Sequence, residues 1–187
     1  MAIKTLHNSF DRTWFVTFTC YRWLPLFEIS DSYDLVYNWL NLISKKKQSN
    51  TLAFVIMPNH VHLLLHLADD INLNMLISNA KRFMAYEIIK RLKDNNEAGT
   101  LQTLRDACSE KEKSKGQIHR VFEPSFDAKP IYSDLFLHQK LNYIHQNPVN
   151  GKWHLSIDFI EYKHSSAAFY ELGSINEYLE ITDFRDV

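Results

Sequence analysis

The sequence has few of the features that mark special classes of protein. Cys20 and Cys108 are its only cysteines, too few for a disulfide framework or a cysteine metal cluster. No apolar stretch approaches the ~18 residues of a membrane span, and the N-terminus lacks the apolar core of a signal peptide. We therefore expect a cytoplasmic protein with no membrane partner.

An excess of positive charge is missing as well. Lysine and arginine number 21 against 22 acidic residues, which gives a net charge of −1. Any binding to nucleic acid must therefore come from local basic patches. The 187 residues fit a single domain over residues 1–187, with a core of about 13–170, since no repeat or domain boundary interrupts the chain.

The most informative stretch runs from Met57 to Leu67. Pro58-Asn59 predicts a turn, and the short apolar run after it predicts a buried strand. Because side chains alternate along a strand, His60 and His62 share one face. The opposite face is apolar and consists of Val61, Leu63, Leu65 and Leu67. Two neutral imidazoles in this arrangement can hold one divalent cation, although such pairs are more often satisfied by hydrogen bonds.

The remaining pattern predicts an α+β fold with a central antiparallel sheet and flanking helices. The expected elements are a strand over 14–21, a helix from Ser30, a strand over 52–57 in a hairpin with the histidine strand, a helix over about 72–93, a strand over 118–122 and a helix over 133–147. The polar segment 95–117 suggests a loop, part of it mobile, with a short helix around Leu101 to Ala107. Residues 123–130 suggest a turn-rich link.

The last of these helices carries a second set of polar residues. It is expected to stop at Asn147, since a residue that precedes a proline is pushed out of the helical conformation. Tyr143 and Asn147 are four residues apart and share a helix face, and Gln146 is three residues from the tyrosine. Without the histidine motif, an ordinary core tyrosine would be the favoured interpretation of Tyr143.

Taken together, the two motifs resemble those of a known family. Met57-Pro58-Asn59-His60-Val61-His62 and the downstream Tyr143-Ile144-His145-Gln146-Asn147-Pro148-Val149 are similar to the motifs of the single-tyrosine HUH transposases. Phe15 to Thr19 and Tyr162 to Ser166 resemble the REP-associated group of that family. The resemblance spans roughly residues 13–170 and implies the ferredoxin-like or RRM-like core of HUH enzymes.

The resemblance also implies an activity. Such enzymes cleave and rejoin single-stranded DNA through a 5′-phosphotyrosine, which makes Tyr143 the expected nucleophile. The metal ligands implied are His60, His62 and a polar residue of the tyrosine helix, with Mg²⁺ or Mn²⁺ as the cofactor. Asn147 and Gln146 both qualify as the third ligand, and we favour Asn147 because it lies one helical turn beyond the tyrosine. Imidazole ligands favour Mn²⁺ over Mg²⁺.

The expected partner is single-stranded or hairpin DNA. Candidate phosphate contacts are Lys81, Arg82 and Arg120, although charges on a long helix are often no more than a solvated face. The resemblance leaves open whether the chain acts as a monomer or as a homodimer with exchanged tyrosine helices. A domesticated HUH nuclease that processes hairpins without transposition and a non-catalytic nucleic-acid-binding module remain as alternatives.

Overall fold

The computed structural model describes residues 12–150 and 153–187, so the expectation for the N-terminus lies outside the described residues. The strands are β1 (Thr13–Thr19), β2 (Ser49–Met57), β3 (His60–Leu67) and β4 (Asp127–Pro130). The helices are α1 (Leu26–Ile29), α2 (Tyr33–Lys45), α3 (Leu73–Asp94), α4 (Ala98–Asp106), α5 (Glu110–Lys113), α6 (Asp134–Gln146) and α7 (Ala167–Leu172). Short 3₁₀ turns lie at Tyr21–Trp23, Phe159–Glu161 and Phe184–Asp186.

The four strands form one antiparallel sheet in the order β2-β3-β1-β4. Reading β1, α2, the β2–β3 hairpin, α3 and β4 along the chain gives the β-α-β-β-α-β arrangement of ferredoxin-like folds. The predicted α+β class, with a central antiparallel sheet and flanking helices, is therefore confirmed. β3 is an inner strand, so both of its edges are paired, and α6 covers the face that carries the histidines.

The larger of two hydrophobic clusters involves α2, α3 and one face of the sheet. β3 contributes its predicted apolar face, and α3 contributes Leu76, Ile77, Ala80, Met84 and Ile88. Asn72 ends the preceding loop by accepting a hydrogen bond from the Met75 amide at 3.0 Å, which satisfies a free N–H of the first helical turn. The expected amphipathic helix is thus present with its expected stripe.

The opposite face of the sheet is covered by α6. Leu137 and Ile144 of this helix pack with Phe15, Val55 and Leu64 in a second cluster. Ser133 caps the start of α6 by accepting a hydrogen bond from the Phe136 amide at 3.2 Å. This helix is the element that brings the predicted tyrosine to the sheet.

The C-terminal segment packs back onto the domain, as expected. The Tyr162 hydroxyl donates to the Ile56 carbonyl at 2.9 Å, and the Tyr170 hydroxyl donates to the Leu52 carbonyl at 2.8 Å. Ser166 donates its amide to the Phe54 carbonyl at 3.0 Å. The tail is therefore fastened to the outer edge of β2.

The predicted strand over residues 118–122 is wrong. That segment is irregular apart from an isolated bridge between Phe122 and Cys20, and the fourth strand is β4, inside the expected turn-rich link. Strand formation depends on pairing and burial more than on β-propensity, and β1 pairs with residues 127–130. Pro130 is tolerated there because β4 lies at the sheet edge.

Residues 95–117 are more helical than expected. The short helix predicted near Leu101 is present as α4, whose Leu104 is fully buried. The stretch expected to be loop also contains α5, which begins with a capping box between Ser109 and Glu112.

Of the helices in the described ranges, none combines the length and the apolar character needed to cross a membrane.

Candidate active site

The two predicted motifs meet where α6 crosses β3. Residues two apart on a strand are separated by roughly 6.8 Å, and residues four apart on a helix by about 6.0 Å. These repeats nearly match, so Tyr143 lies against His62 while Asn147 lies against His60. The four candidate residues therefore form one site, although 87 positions separate His60 from Asn147.

His62 is buried and held on three sides. Its Nδ1 lies 2.7 Å from the Thr17 hydroxyl, and its ring stacks on Phe15 with centroids 5.5 Å apart. The Tyr143 ring meets it edge-on at 5.0 Å. Its Nε2 is buried and has no hydrogen-bond partner among the residues that the structure describes. A buried nitrogen with nothing to bond is a ready metal ligand.

His60 shows a second sign of the same chemistry. Its Nδ1 lies 2.6 Å from Oδ1 of Asn59, and its Nε2 lies 3.2 Å from Oδ1 of Asn147. A neutral imidazole has only one N–H, so when Nδ1 donates to Asn59, the lone pair on Nε2 faces the Asn147 oxygen. Two lone pairs that face each other repel, and a cation bound between the His60 nitrogen and the Asn147 oxygen would remove that repulsion.

Burial keeps both imidazoles in the neutral form that binds metal. Burial lowers the pKa of His60 to about 4, against a smaller opposing effect of the contact with Asn147. Burial also lowers the pKa of His62 well below its usual value, helped by the nearby His60 and Lys140. At neutral pH neither ring therefore has to lose a proton before it binds a cation.

The donor set fits a divalent transition metal. Two imidazole nitrogens and one amide oxygen suit Mn²⁺ better than Mg²⁺. Asn147 faces His60, whereas in the described residues no hydrogen bond joins the Gln146 side chain to either histidine. No cluster of three or more His, Cys, Asp or Glu side chains able to hold a metal occurs among residues 12–150 and 153–187. A site here would depend on the amide.

Tyr143 is half exposed at the mouth of the site, at 47% of its full accessibility. Lys140, one turn earlier on α6, places its Nζ 5.5 Å from the centre of the Tyr143 ring and 4.7 Å from that of Phe15. This lysine was not among the site residues predicted from the sequence, although its i,i+3 spacing from Tyr143 was a usable signal. The ammonium adds positive charge beside the nucleophile that the resemblance implies.

The groups that orient the histidines were also missed. Thr17 and Asn59 act through hydrogen bonds to the Nδ1 atoms of His62 and His60. Asn59 is fully buried, and its side-chain amide also donates to the carbonyl of Trp23 at 3.1 Å. Cross-strand register places Thr17 opposite His62, which no local sequence pattern reveals.

The three candidate DNA contacts line one groove of about 580 Å³ between α3 and residues 117–124. Lys81 has a structural role, since its Nζ donates to the carbonyls of Glu123, Pro124 and Ser125 at 2.6–3.2 Å. Arg120 forms an ion pair with Glu112. Arg82 is exposed, and within the described part of the chain its side chain forms a single hydrogen bond, a 3.4 Å contact with Asn79.

The other histidines near the sheet have structural partners. His66 shares the strand face but lies at the far end, where its Nδ1 is 3.0 Å from the Thr13 hydroxyl. His145 is buried, with Nε2 2.9 Å from the Ser166 hydroxyl. Burial lowers its pKa to about 4. Neither joins the candidate site.

Comparison with known proteins agrees with the geometry of the site. Residues 15–105 match the IS200-like transposase family. This confirms the resemblance to transposases that the sequence predicts and supports a DNA-processing role of that type. The match includes His60 and His62 but ends before the tyrosine helix α6. A search of curated proteins gives no match.

The solved structures that are similar to this chain include two transposases. One is a REP-associated tyrosine transposase bound to a REP hairpin, with a TM-score of 0.56 and 16% identity over 98% of this chain and 95% of that chain. The other is a putative transposase from Deinococcus radiodurans R1, with a TM-score of 0.44 and 15% identity over 76% of this chain and 95% of that chain. At 16% identity, the first likeness establishes the fold alone.

We predict that Lys81→Met destabilises the protein. Three backbone carbonyls would lose their donor, so the free energy of unfolding should fall by about 1–3 kcal/mol in urea titrations. Lys90→Met is the matched control, since Lys90 is exposed on the same helix and should change stability by less than about 0.5 kcal/mol. Equal stability of the two variants would contradict a structural role for Lys81.

Proposed function

We propose that this protein is a metal-dependent endonuclease and strand transferase acting on single-stranded DNA. Tyr143 is the nucleophile, and His60, His62 and Asn147 hold the divalent metal, Mn²⁺ or Mg²⁺. The proposal rests on three features that lie together. Nε2 of His62 is buried with no hydrogen-bond partner in the described residues, and Nε2 of His60 faces the side-chain oxygen of Asn147. The ring of Tyr143 lies beside them and is half exposed. The family match over β1–α4 supports the same chemistry.

The reaction follows from the chemistry of the residues present. The hydroxyl oxygen of Tyr143 bonds to the scissile phosphorus and loses its proton to solvent, to which this half-exposed residue has access. The bond from phosphorus to the 3′-oxygen breaks, and that oxygen takes up a proton to leave as a 3′-hydroxyl. A bound metal ion would supply Lewis-acid polarisation of the phosphate. Attack of another 3′-hydroxyl on the phosphotyrosine reverses the step and joins strands.

Lys140 has a supporting part in this proposal. Its ammonium lies beside the Tyr143 and Phe15 rings, where burial and the neighbouring Lys129 lower its pKa. A positive charge at this position attracts the phosphate backbone and favours the charge that develops on the phosphorane-like transition state. It also supplies local attraction for DNA in a chain whose net charge is −1.

The proposed substrate is single-stranded DNA next to a hairpin. The similar solved transposase is bound to a REP hairpin, and this chain shares its fold. The groove between α3 and residues 117–124 has Arg82, Lys93 and Lys115 along its walls. Its charges suit a phosphate backbone, and exposed Tyr86 in the same wall offers a surface for a base.

The central prediction concerns Tyr143→Phe. Wild-type protein incubated with a pool of hairpin oligonucleotides and Mn²⁺ should form a covalent adduct that migrates slowly on a denaturing gel. The Phe variant should form none, because it lacks the attacking oxygen. Tyr178→Phe is the matched control and should retain the adduct, because Tyr178 is 51% exposed and stacks on Tyr37 outside the site and the groove. An adduct that persists in Tyr143→Phe would exclude this residue as the nucleophile.

A second prediction concerns metal binding, measured by calorimetry with Mn²⁺. His62→Ala and Asn147→Ala each remove a ligand and should weaken binding by at least roughly 10–100-fold, since losing a group that merely orients a ligand already costs that much. His66→Ala is the matched control on the same strand face, and Gln146→Ala is the control on α6. Loss of binding in Gln146→Ala but not in Asn147→Ala would assign the third ligand to the glutamine.

A third prediction concerns whether one chain forms the whole site. In the structure α6 packs on the sheet of its own chain, so Tyr143 lies against His62 of the same molecule. A mixture of Tyr143→Phe and His62→Ala proteins should therefore form no adduct. Adduct formation in the mixture would mean that two chains exchange their tyrosine helices.

A further inference from the structure

The loop before α1 has a disfavoured backbone beside the candidate site. Arg22 and Trp23 are consecutive non-glycine residues in the left-handed region, with φ of 50° and 59°. L-amino acids rarely adopt this conformation, and residues that do so persist only when their surroundings enforce it. Here the backbone N–H of Arg22 donates to Oε1 of Glu123 at 2.8 Å. The backbone carbonyl of Trp23 accepts from the side-chain amide of Asn59 at 3.1 Å.

The consequence of this backbone is an exposed indole next to a buried ligand. Trp23 keeps 55% of its accessibility, and its ring lies 5.4 Å from that of His60 at an angle of 69°. Asn59 bonds to both residues, with Oδ1 on His60 Nδ1 and Nδ2 on the Trp23 carbonyl. The position of Trp23 is thereby fixed relative to the proposed metal site.

Trp23 and Tyr143 are the first and last members of a series of ring contacts that passes through both histidines. Tyr143 contacts His62 at 5.0 Å, His62 contacts His60 at 4.7 Å, and His60 contacts Trp23 at 5.4 Å. In phosphoryl transfer the attacking and leaving oxygens are roughly in line with phosphorus between them. A phosphate above the histidines that is attacked from the Tyr143 end would release its leaving group toward Trp23.

We infer that Trp23 is a binding platform for an unpaired nucleobase, that of the nucleotide immediately 5′ of the scissile phosphate. Aromatic side chains bind single-stranded DNA by stacking on exposed bases. This inference rests on the proposed function and adds a residue that holds the leaving nucleotide. Stacking on Trp23 would keep the released 3′-hydroxyl close to the phosphotyrosine, ready for the reverse step.

The test measures binding in Tyr143→Phe protein, which forms no adduct. An oligonucleotide selected from the hairpin pool by affinity is scanned by replacing each nucleotide with an abasic one, and its Kd is measured by fluorescence anisotropy. The scan is repeated with three double variants, in which Trp23→Ala, Trp23→Leu or Trp23→Phe is combined with Tyr143→Phe. Tyr178→Ala is the matched control, because Tyr178 is 51% exposed and stacks on Tyr37 away from the site.

With Trp23 present, one abasic position should weaken binding by about tenfold, within the range for base stacking on aromatic residues. That sensitivity should vanish in Trp23→Ala and Trp23→Leu, remain in Trp23→Phe and remain in Tyr178→Ala. The sensitive nucleotide should lie immediately 5′ of the cleavage point mapped with wild-type protein.

Identical abasic profiles with and without Trp23 would overturn the inference, as would a sensitive nucleotide on the 3′ side of the cleavage point. Failure of the proposed function would show differently, as the absence of any adduct in wild-type protein. The leucine variant retains an apolar side chain against His60, so it separates lost stacking from a disturbed loop.

Discussion

The packing of α6 across β3 is the contact on which the candidate site depends. Leu137 and Ile144 hold the helix on Phe15, Val55 and Leu64, and this apolar contact fixes its position along the strand. Because four helical residues span nearly the same distance as two strand residues, that position aligns two pairs at once. A shift of the helix by one turn would separate both pairs.

Burial under α6 also sets the chemistry of the histidines. Excluding water from His60 and His62 disfavours their charged forms, so both rings stay neutral and keep a free nitrogen. Thr17 and Asn59 then occupy the Nδ1 atoms, which leaves the Nε2 atoms for the site. The same covering helix therefore supplies the tyrosine, the amide and the low-dielectric surroundings that the histidines need.

The elements predicted from sequence are those in which a strong local pattern and the tertiary contacts agree. The β2–β3 hairpin follows from the Pro58-Asn59 turn and the alternation after it, and α3 follows from its apolar stripe and the Asn72 cap. β4 and the irregular segment 118–122 were interchanged. The aromatic and β-branched character of 118–122 favours a strand, but β1 had only one open edge and paired with residues 127–130.

By itself, the sequence determined the α+β class, the strand face that carries His60 and His62, and the helix face shared by Tyr143 and Asn147. These follow from periodicity, which is a property of neighbouring residues. Tertiary structure alone decided that the two faces meet, that Asn147 rather than Gln146 points at His60, and that Lys81 bonds to a loop. It also placed Lys140 and Trp23 around the site. Contacts between residues distant in sequence depend on packing of the whole sheet, and no local pattern contains that information.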